Sequence, residues 1–307
     1  MVTGAAGALA RQVIAQLSGE ANIVAVDFRR RVRIDDDTPS YRGDPNRRDF
    51  ADLFRNHTID AVIHLGRVET DELTPERRYN ANVLGTQRLF ALCSQYGVGQ
   101  VVVMSTYFVY GASPYNPALL GEDAPLKASG LTMDLVDSVE LENLAAVALW
   151  KHPEQHLTVL RPCNIAGPRV RNTLSLLMDR QVSPRLVGFS PMMQFIHVDD
   201  MARAVVAAYL QNQPGIYNVA PPQWMAYHDV LRECGCASLP VPSIPPAVPS
   251  VISRMLRWKA FPGYLINYLK YPVLIDGSHF ERAFDFKYER SLDEVLAYYR
   301  QRKDATG

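Results

Sequence analysis

The stretch TGAAGALA at residues 3–10 joins a short apolar segment to an amphipathic helical pattern. Gly4 permits a tight turn, and Gly7 lets backbone N–H groups approach a pyrophosphate at the positive end of the following helix. The small Ala10 allows this helix to pack closely against the strand. The pattern therefore predicts a dinucleotide-binding turn. Only Met1 and Val2 precede it, so either the sequence begins late in its first strand or the natural start lies upstream.

A carboxylate follows at the distance that such a turn requires. The β-branched run NIVAVD ends in Asp27, about 20 residues after the turn, where a carboxylate accepts hydrogen bonds from the adenosine ribose. Asp27 favours NAD because it repels the additional phosphate of NADP. Arg29 and Arg30 favour NADP, since a guanidinium can receive that phosphate. We expect NAD, with NADP as the alternative.

Short β-branched runs alternate with helical patterns through the first half of the chain, which is typical of a parallel sheet covered on both faces. The predicted strands are 22–27, 60–65, 100–105 and 157–162, and the predicted helices are 8–17, 82–97 and 139–151. Beyond residue 165 the alternation loosens, and the proline-rich segment 239–249 predicts an irregular connection. The fold class is α/β: a Rossmann-type, doubly wound parallel sheet with a smaller C-terminal α/β lobe.

Composition narrows the possible partners. The 307 residues carry 32 Lys plus Arg against 32 Asp plus Glu, so no net field attracts nucleic acid. We expect a cytoplasmic protein, because no apolar stretch is long enough to span a bilayer and no export signal is present. Residues 248–259 form a basic amphipathic pattern, for which packing on the protein's own domain is favoured over a membrane surface.

The positions of the cysteines and histidines in the sequence do not indicate a metal site. Cys93, Cys163, Cys234 and Cys236 are too scattered for a disulfide framework, and Cys234-Gly235-Cys236 lacks a second ligand pair. His64 and His197 lie in apolar runs and are interpreted as packed, hydrogen-bonded histidines.

Taken together, the motifs resemble the extended short-chain dehydrogenase/reductase superfamily, in its NAD-dependent epimerase/dehydratase branch that acts on nucleotide sugars. The resemblance covers nearly the whole chain. It rests on TGAAGALA (3–10), RGD (42–44), IHLG (63–66), NVLGT (82–86), STYFVYG (105–111), LRPCNIAGP (160–168) and FIHVDD (195–200).

The resemblance implies an architecture and partners. Strand order 3-2-1-4-5-6-7 is implied, with a cleft at the carboxyl ends of the strands. Residues 1–165 and 195–221 would form the NAD(P)-binding domain, and 166–194 and 222–307 the substrate lobe. The implied partners are a small-molecule substrate and a second copy of the chain, which would pair through helices starting near residues 82 and 138.

The resemblance also implies site residues. Thr106 corresponds to the active-site hydroxyl of the family. The implied cofactor contacts are Gly4, Ala6, Gly7, Ala8, Leu9, Asp27, Phe28, Arg29, Asp44, Pro45, Leu65, Gly66, Arg67, Asn82, Met104, Ser105, Arg161, Pro162 and Asn164.

The catalytic Tyr-x-x-x-Lys of the family is missing. Aligning the Glu that follows that motif with Glu142 places Asp134 at the Tyr position and Ser138 at the Lys position, and no Tyr or Lys occurs between 128 and 150. In the family the phenol exchanges a proton with a substrate hydroxyl, and the ammonium lowers the phenol's pKa. Asp134 would serve as acid/base only if burial raised its pKa. Tyr107 and Tyr115 are alternative phenols near Thr106.

The substrate side also departs from the family. Met193 stands where the family commonly has an Arg that grips the diphosphate of the nucleotide sugar, and a thioether gives no charge-assisted bond to phosphate. Arg169, Arg171 and Arg185 are candidate replacements, and each is equally interpretable as a solvated surface charge.

Three hypotheses follow from these residues. The chain is a dinucleotide-dependent enzyme with a rearranged catalytic set, with Thr106 and Asp134 in the active site. Alternatively, it is a catalytically silent NAD(P)-binding sensor or regulator. The third possibility is an interaction protein without cofactor, against which Gly4, Gly7 and Asp27 argue.

Overall fold

The computed structural model describes residues 1–29, 32, 34, 38–68, 74–132, 135–242 and 263–305. Three sequence predictions lie outside these residues: the role of Asp134, the contribution of Arg30, and the amphipathic helix at 248–259. All statements below concern the described part of the chain.

The first half alternates strands with helices, as the hydrophobic pattern predicts. Its elements are β1 (Val2–Thr3), α1 (Ala8–Leu17), β2 (Ala25–Asp27), β3 (Ser40–Arg42), α2 (Ala51–Asn56), β4 (Ala61–His64), α3 (Pro75–Tyr79), α4 (Gly85–Gln95), β5 (Gln100–Met104), α5 (Ala128–Leu131), α6 (Val136–Lys151) and β6 (His156–Pro162).

The second half is made of shorter elements. They are β7 (Asn164–Ala166), α7 (Thr173–Met178), β8 (Val182–Leu186), β9 (Met192–Met193), β10 (Phe195–His197), α8 (Val198–Gln211), β11 (Gly215–Val219), β12 (Met225–Ala226), α9 (Tyr227–Glu233), β13 (Ala237–Val241), α10 (Leu265–Tyr268), α11 (Ser278–Ala283) and α12 (Leu292–Asp304).

Seven strands form one parallel sheet in the order β3-β2-β1-β4-β5-β6-β11. This confirms the expected order 3-2-1-4-5-6-7, with the crossover point between β1 and β4. Ligands of open α/β sheets bind outside the carboxyl ends of the strands at such a point. In this chain the position is occupied by the glycine turn after Thr3 and by the loop after His64.

The two faces of the sheet have separate cores because side chains alternate along each strand. In β5, Val102 faces α1 and α8, together with Val13 and Val205. Its neighbours Val101 and Val103 face the opposite side, which is covered by α2, α4 and α6. Both faces are therefore apolar, which explains why the strands read as continuous hydrophobic runs.

The helix predicted to start near residue 82 begins earlier. Thr74 caps α3, a π-helical turn at Asn80–Leu84 follows, and α4 continues to Gln95. The apolar periodicity predicted only the second part, because Pro75–Tyr79 (PERRY) is almost entirely polar. The helix predicted to start near 138 begins at Val136.

Three small strand pairs lie outside the seven-stranded sheet in the described part of the chain, and in one of them β7 pairs in parallel with β10. β8 pairs in parallel with β13, and β9 pairs antiparallel with β12. Near the C-terminus, the hydroxyl of Tyr299 in α12 accepts a hydrogen bond from the backbone N–H of Gly167, and Lys303 Nζ donates to the carbonyls of Met178 and Cys234. No helix within the described ranges is long and apolar enough to cross a membrane.

Candidate functional site

The glycine turn is in close contact with the loop that follows β4. Gly4 has φ +72°, and a Cβ at this position would lie 2.7 Å from Gly66 Cα and Gly66 N. The backbone N–H of Gly66 donates to Thr3 Oγ1 at 3.3 Å. The turn thus needs glycine both for its backbone angle and for space.

The first turn of α1 has open backbone donors. Gly7 is the N-cap, no side chain caps the helix, and no acidic residue lies in its first turn. Ala8 and Leu9 begin the helix and line the cleft described below. An uncapped helix N-terminus carries partial positive charge and unsatisfied N–H groups, which suit an anion such as a pyrophosphate.

Asp27 is held in place at the end of β2. Its Oδ2 accepts from the backbone N–H of Ala6 at 3.0 Å, and its Oδ1 accepts from that of Arg29 at 2.9 Å. The side chain is only 2% exposed, whereas Arg29 is half exposed, with its Nε 3.9 Å from Asp27 Oδ1. Each carboxylate oxygen keeps a lone pair for a further donor.

A cleft of about 870 Å³ runs along these elements. It brings together most of the cofactor contacts expected from the sequence: Gly4, Ala6, Gly7, Ala8, Leu9, Asp27, Phe28, Arg29, Asp44, Pro45, Leu65, Gly66, Arg67 and Asn82. The volume lies within the range of small-molecule and cofactor sites.

Residues 165–180 form part of the same cleft. Arg169 and Arg171 line it together with Arg180, whereas Arg185 does not. Arg169 has φ +64°, a strained value for a residue other than glycine. Met193 is buried in β9 and lines neither this cleft nor the smaller cavity next to it. Of the candidate replacements for the missing Arg, the structure thus brings Arg169 and Arg171 to the cleft.

A smaller cavity of about 180 Å³, which we call the inner cavity, adjoins the cleft. Its walls contain four further expected contacts and the expected active-site hydroxyl: Met104, Ser105, Pro162, Asn164 and Thr106. The two spaces are adjacent, because they share the lining residues Arg67, Val68, Ile165, Asn172 and Thr173.

Arg161 is the one expected cofactor contact that lines neither space. Its guanidinium donates to both carboxylate oxygens of Glu142 at 3.0 and 2.9 Å, and its Nη1 donates to Tyr110 Oη at 2.8 Å. Arg161 and Glu142 are almost fully buried. The structure therefore gives Arg161 a packing role between β6 and α6.

At the position of the missing Lys, a different cation is present. Ser138 lies in the first turn of α6, and its Oγ accepts a hydrogen bond from the Arg67 guanidinium. Arg67 Nη2 is also 3.7 Å from Asp137 Oδ2, and Arg78 Nε lies at the same distance from that oxygen. Asn82 Nδ2 donates to Asp137 Oδ2 at 2.6 Å.

Two residues that line the inner cavity each have a buried side-chain oxygen with no hydrogen-bond partner in the described part of the chain. The oxygens are Ser105 Oγ and Asp137 Oδ1, and the two residues are 5% and 3% exposed. Buried polar atoms are nearly always bonded, so each exception calls for an explanation.

The phenols near Thr106 differ in position. Tyr107 lines the inner cavity and donates to Asn164 Oδ1 at 2.7 Å, and burial raises its pKa well above the ordinary phenol value. Tyr115 is 88% exposed and lines neither space. Tyr264, which the sequence did not single out, lines the inner cavity. A phenol with a raised pKa stays protonated at neutral pH, so it cannot accept a proton there as a base.

His64 is buried, and each of its ring nitrogens lies close to a threonine hydroxyl. Its Nδ1 lies 2.7 Å from Thr3 Oγ1 and its Nε2 lies 3.0 Å from Thr86 Oγ1. Burial lowers its pKa to about 4. His197 caps α8 by accepting from the backbone N–H of Asp199. Within the described ranges no group of three or more His, Cys, Asp or Glu side chains could hold a metal ion.

Sequence reasoning missed Asp137, Arg78, Asn172 and Thr173. Asp137 was within reach, because it is an acidic residue directly beside the Lys position. The others carried no local signal. Arg78 precedes the expected helix start, and Asn172 and Thr173 lie between the motifs at 160–168 and 195–200.

Comparisons with known proteins agree with this geometry. Residues 1–220 match the NAD dependent epimerase/dehydratase family. The uncharacterized protein Rv0501 of Mycobacterium tuberculosis is 28% identical over 199 residues, or 63% of this chain and 52% of that protein, so the chain spans about half the length of this relative. The dTDP-glucose 4,6-dehydratase of Streptomyces griseus is 28% identical over 71% of this chain and 72% of that protein.

Solved structures share the fold. MoeE5, in complex with UDP-glucose and NAD, superposes with a TM-score of 0.77 at 22% identity, covering 99% of this chain and 98% of that one. UDP-glucose 4-epimerase of Thermus thermophilus, in complex with NAD, gives a TM-score of 0.77 at 18% identity, covering 100% and 99%. At such identities the likeness extends to the fold alone.

Proposed function

This chain belongs to the NAD-dependent epimerase/dehydratase family, and on that premise we propose that it binds NAD in the cleft and acts on a hydroxylated, nucleotide-sugar-like substrate. The reaction class is oxidoreduction or epimerisation with a rearranged catalytic set. The observation that carries the proposal is the Gly4–Gly66 contact, which forms the cleft floor beside the uncapped helix N-terminus and Asp27.

The residues of the cleft suit a dinucleotide. The N-terminus of α1 offers backbone N–H groups and positive partial charge to a pyrophosphate. Asp27 offers carboxylate oxygens to a ribose, and the same carboxylate opposes the 2′-phosphate of NADP. Its two backbone hydrogen bonds keep the carboxylate aligned before the cofactor arrives. NAD is therefore favoured over NADP, although Arg29 lies nearby.

Side chains of the protein would bind and orient the substrate beside the cofactor. Bound NAD supplies the site of hydride exchange. Thr106 lines the inner cavity, and we assign to its Oγ1 a hydrogen bond with a substrate oxygen. Arg67 brings a fixed positive charge to Ser138, the position of the family's Lys. The acid/base role proposed for Asp134 rests on the alignment alone.

The substrate class is supported by the residues of the lobe and by the relatives. Arg169, Arg171 and Arg180 provide cations along the cleft for a diphosphate, in place of the Arg that Met193 replaces. MoeE5 was solved with UDP-glucose, and the Streptomyces griseus relative is a dTDP-glucose 4,6-dehydratase. We extend this substrate class, and not one particular sugar, to the present chain.

A catalytically silent NAD-binding sensor is the second candidate. It is favoured by the absence of Tyr and Lys from residues 128–150 and by the raised pKa of Tyr107. Such a protein would keep the cleft and Asp27 while lacking an acid/base.

One experiment separates these possibilities. The purified protein is denatured, and the released small molecules and the redox state of any nicotinamide are identified by mass spectrometry. NAD or NADH at near one per chain supports the cofactor proposal. Conversion of added UDP-glucose or dTDP-glucose supports an enzyme, with net NADH formation for an oxidation and without it for an epimerisation. Bound NAD without hydride exchange favours the sensor. If none is released and added dinucleotides leave the melting temperature unchanged, the proposal fails.

We propose also that the chain forms a homodimer through α6 and the helix formed by α3 and α4. Val147 and Trp150 lie three residues apart on α6 and are 60% and 89% exposed. Leu84, in the π-helical turn, is 41% exposed. Large exposed apolar side chains on adjacent helices are typical of a protein interface.

A further inference from the structure

Cys236 and Lys303 form a close pair between the start of β13 and the end of α12. Lys303 Nζ donates a hydrogen bond to Cys236 Sγ at 2.8 Å, and each residue is only 7% exposed. Because sulfur is a larger atom than oxygen, 2.8 Å is a close approach for an amine nitrogen. The two residues are 67 positions apart in the sequence. Their contact is therefore made by the tertiary fold.

Backbone carbonyls hold both side chains in place. Lys303 Nζ donates to the carbonyls of Met178 and Cys234 at 2.6 and 2.5 Å. Cys236 Sγ lies 3.1 Å from the carbonyls of Met178 and Arg180, to either of which the thiol can donate. The side chain of Arg180 lines the cleft. The pair therefore supports a segment that forms part of the cleft wall.

The other three cysteines are less open to oxidation than Cys236. Cys93 and Cys234 are fully buried and Cys163 is 3% exposed, against 7% for Cys236. Burial raises the pKa of Cys93 and of Cys234 to about 12, and that of Cys163 further still, so these three stay thiols at neutral pH. The thiolate, and not the thiol, is the nucleophile that attacks an oxidant. A small oxidant should therefore reach and modify Cys236 first.

Oxidation by hydrogen peroxide would turn this contact into a covalent bond in two steps. In the first, the O–O bond of the peroxide breaks, an S–O bond forms at Cys236 Sγ, and the thiol becomes a sulfenic acid with release of one water. A sulfenic sulfur is electrophilic and condenses with nitrogen to a sulfenamide. In the second step Lys303 Nζ, after releasing one proton to solvent, attacks the sulfur. The S–N bond forms, the S–O bond breaks, and the hydroxyl leaves with a proton from the nitrogen as a second water.

We propose that Cys236 and Lys303 are a modification site, at which hydrogen peroxide converts the hydrogen-bonded pair into a sulfenamide link between β13 and α12. The link is reversible, because a thiol reductant attacks its sulfur and breaks the S–N bond, and a second thiol then restores Cys236. The linked nitrogen keeps one N–H, so the carbonyls around the pair lose donors that they have in the reduced protein. Neither residue lines the cleft or the inner cavity, so the site does not depend on the reaction proposed above.

Peptide mass spectrometry of the full chain tests the link. The protein is treated with hydrogen peroxide, its free thiols are blocked, and it is digested with trypsin without a reductant. Trypsin cleaves after Arg232, Arg254 and Arg302, so the link would join fragment 233–254 to fragment 303–307. We expect a joined pair whose mass is two hydrogen atoms below the sum of the fragments. Dithiothreitol should separate the pair.

Two variants and a matched control separate this bond from general oxidation. Lys303→Arg keeps a cation that donates hydrogen bonds but removes the amine, and Cys236→Ser removes the sulfur, so neither should give the joined fragments. Cys234→Ala is the control, because it keeps the carbonyl to which Lys303 donates, and it should form the link as the parent protein does. A covalent link across 67 residues also restrains the unfolded chain. Peroxide should therefore raise the melting temperature of the parent protein and of the control, and of neither variant.

Three results would overturn the proposal. The first is that Cys236 gains oxygen atoms in the parent protein while no joined fragments form. The second is a disulfide between Cys234 and Cys236, which would make fragment 233–254 lighter by two hydrogen atoms without joining it to 303–307. The third is an unmodified Cys236 at a peroxide dose that oxidises the exposed Met192.

Discussion

Asp27 Oδ2 accepts a hydrogen bond from the backbone N–H of Ala6 across 3.0 Å, so the carboxylate at the end of β2 is tied to the glycine turn. The residue that would bind the ribose and the turn that would bind the pyrophosphate are therefore positioned together. Asp27→Asn keeps an oxygen acceptor of the same size and removes the charge.

We expect Asp27→Asn to weaken NAD binding about tenfold to a hundredfold, since hydrogen bonds to charged acceptors contribute about 1.5–3 kcal/mol. Titration calorimetry with NAD and NADP measures this, and the preference for NAD over NADP should shrink. Asp134→Ala is the comparison variant, with a much smaller expected effect. Equal losses in the two variants would reverse the assigned roles.

Gly4→Ala should destabilise the protein severely. Its φ of +72° and the 2.7 Å approach to Gly66 combine backbone strain with a clash, for an expected cost of at least about 3 kcal/mol. Gly19→Ala is the matched control, because its φ is +89° but no atom lies within 4 Å, so only about 1 kcal/mol of strain is expected. Urea unfolding measures both, and similar midpoints would contradict the packing argument.

Glu142→Gln should cost about 3–5 kcal/mol of unfolding free energy, because it leaves the buried Arg161 guanidinium without its counter-ion. The exposed pair formed by Arg55 and Asp52 serves as control, and Asp52→Asn should leave the urea midpoint unchanged. The binding of NAD by folded Glu142→Gln should match that of the parent protein. A selective loss of NAD binding would instead support the cofactor role expected for Arg161 from sequence.

His64 should make the protein less stable in mild acid. Burial lowers its pKa from 6.5 to about 4, so the unfolded chain takes up the proton more readily between these values. The contribution of neutral His64 to the free energy of unfolding is fully present above about pH 6.5. It decreases as the pH falls and is smaller by about 3 kcal/mol at pH 4.

His64→Asn should flatten that part of the stability profile, as measured by urea unfolding at a series of pH values. His228→Asn, at an exposed histidine, should keep the slope of the parent protein. Burial also lowers the pKa of His197, so some slope remains in either variant. An unchanged slope in His64→Asn would show that His64 takes up a proton as readily in the folded protein as in the unfolded chain.

Trp150→Glu should convert the proposed dimer to a monomer, because it places a charge in the centre of the exposed apolar face of α6. Sedimentation velocity at micromolar concentration measures the change. Trp224→Glu, at an exposed tryptophan between β11 and β12, should leave the assembly unchanged. A parent protein that sediments as a monomer would refute the interface.

Most of the expected cofactor contacts lie together in one cleft, and their sequence signals are local. Gly4, Gly7 and Asp27 act through backbone geometry at strand ends, and the alternation of strands and helices fixes where those ends meet. The same reasoning failed for Arg161, since a motif position does not reveal that Glu142 lies beside it in the core.

The inner cavity could not be derived in the same way. Arg67 and Ser138 are 71 residues apart, and their contact depends on how α6 packs against the loop after β4. The sequence showed the loss of the Lys at position 138 and gave no sign that a guanidinium from another loop reaches it. The π-helical turn at Asn80–Leu84, which carries Asn82, has no periodicity signal of its own either.

The pairing of β8 with β13, and of β9 with β12, has a consequence for protein engineering. Each pair joins one stretch before α8 to another stretch after β11, so the strands that pair are not encoded by one continuous segment. A chimera that exchanges only one stretch with a relative would match each strand to a foreign neighbour. Exchanging this part of the protein with a relative therefore requires that both stretches be replaced together, with α8 and β11 kept from the recipient.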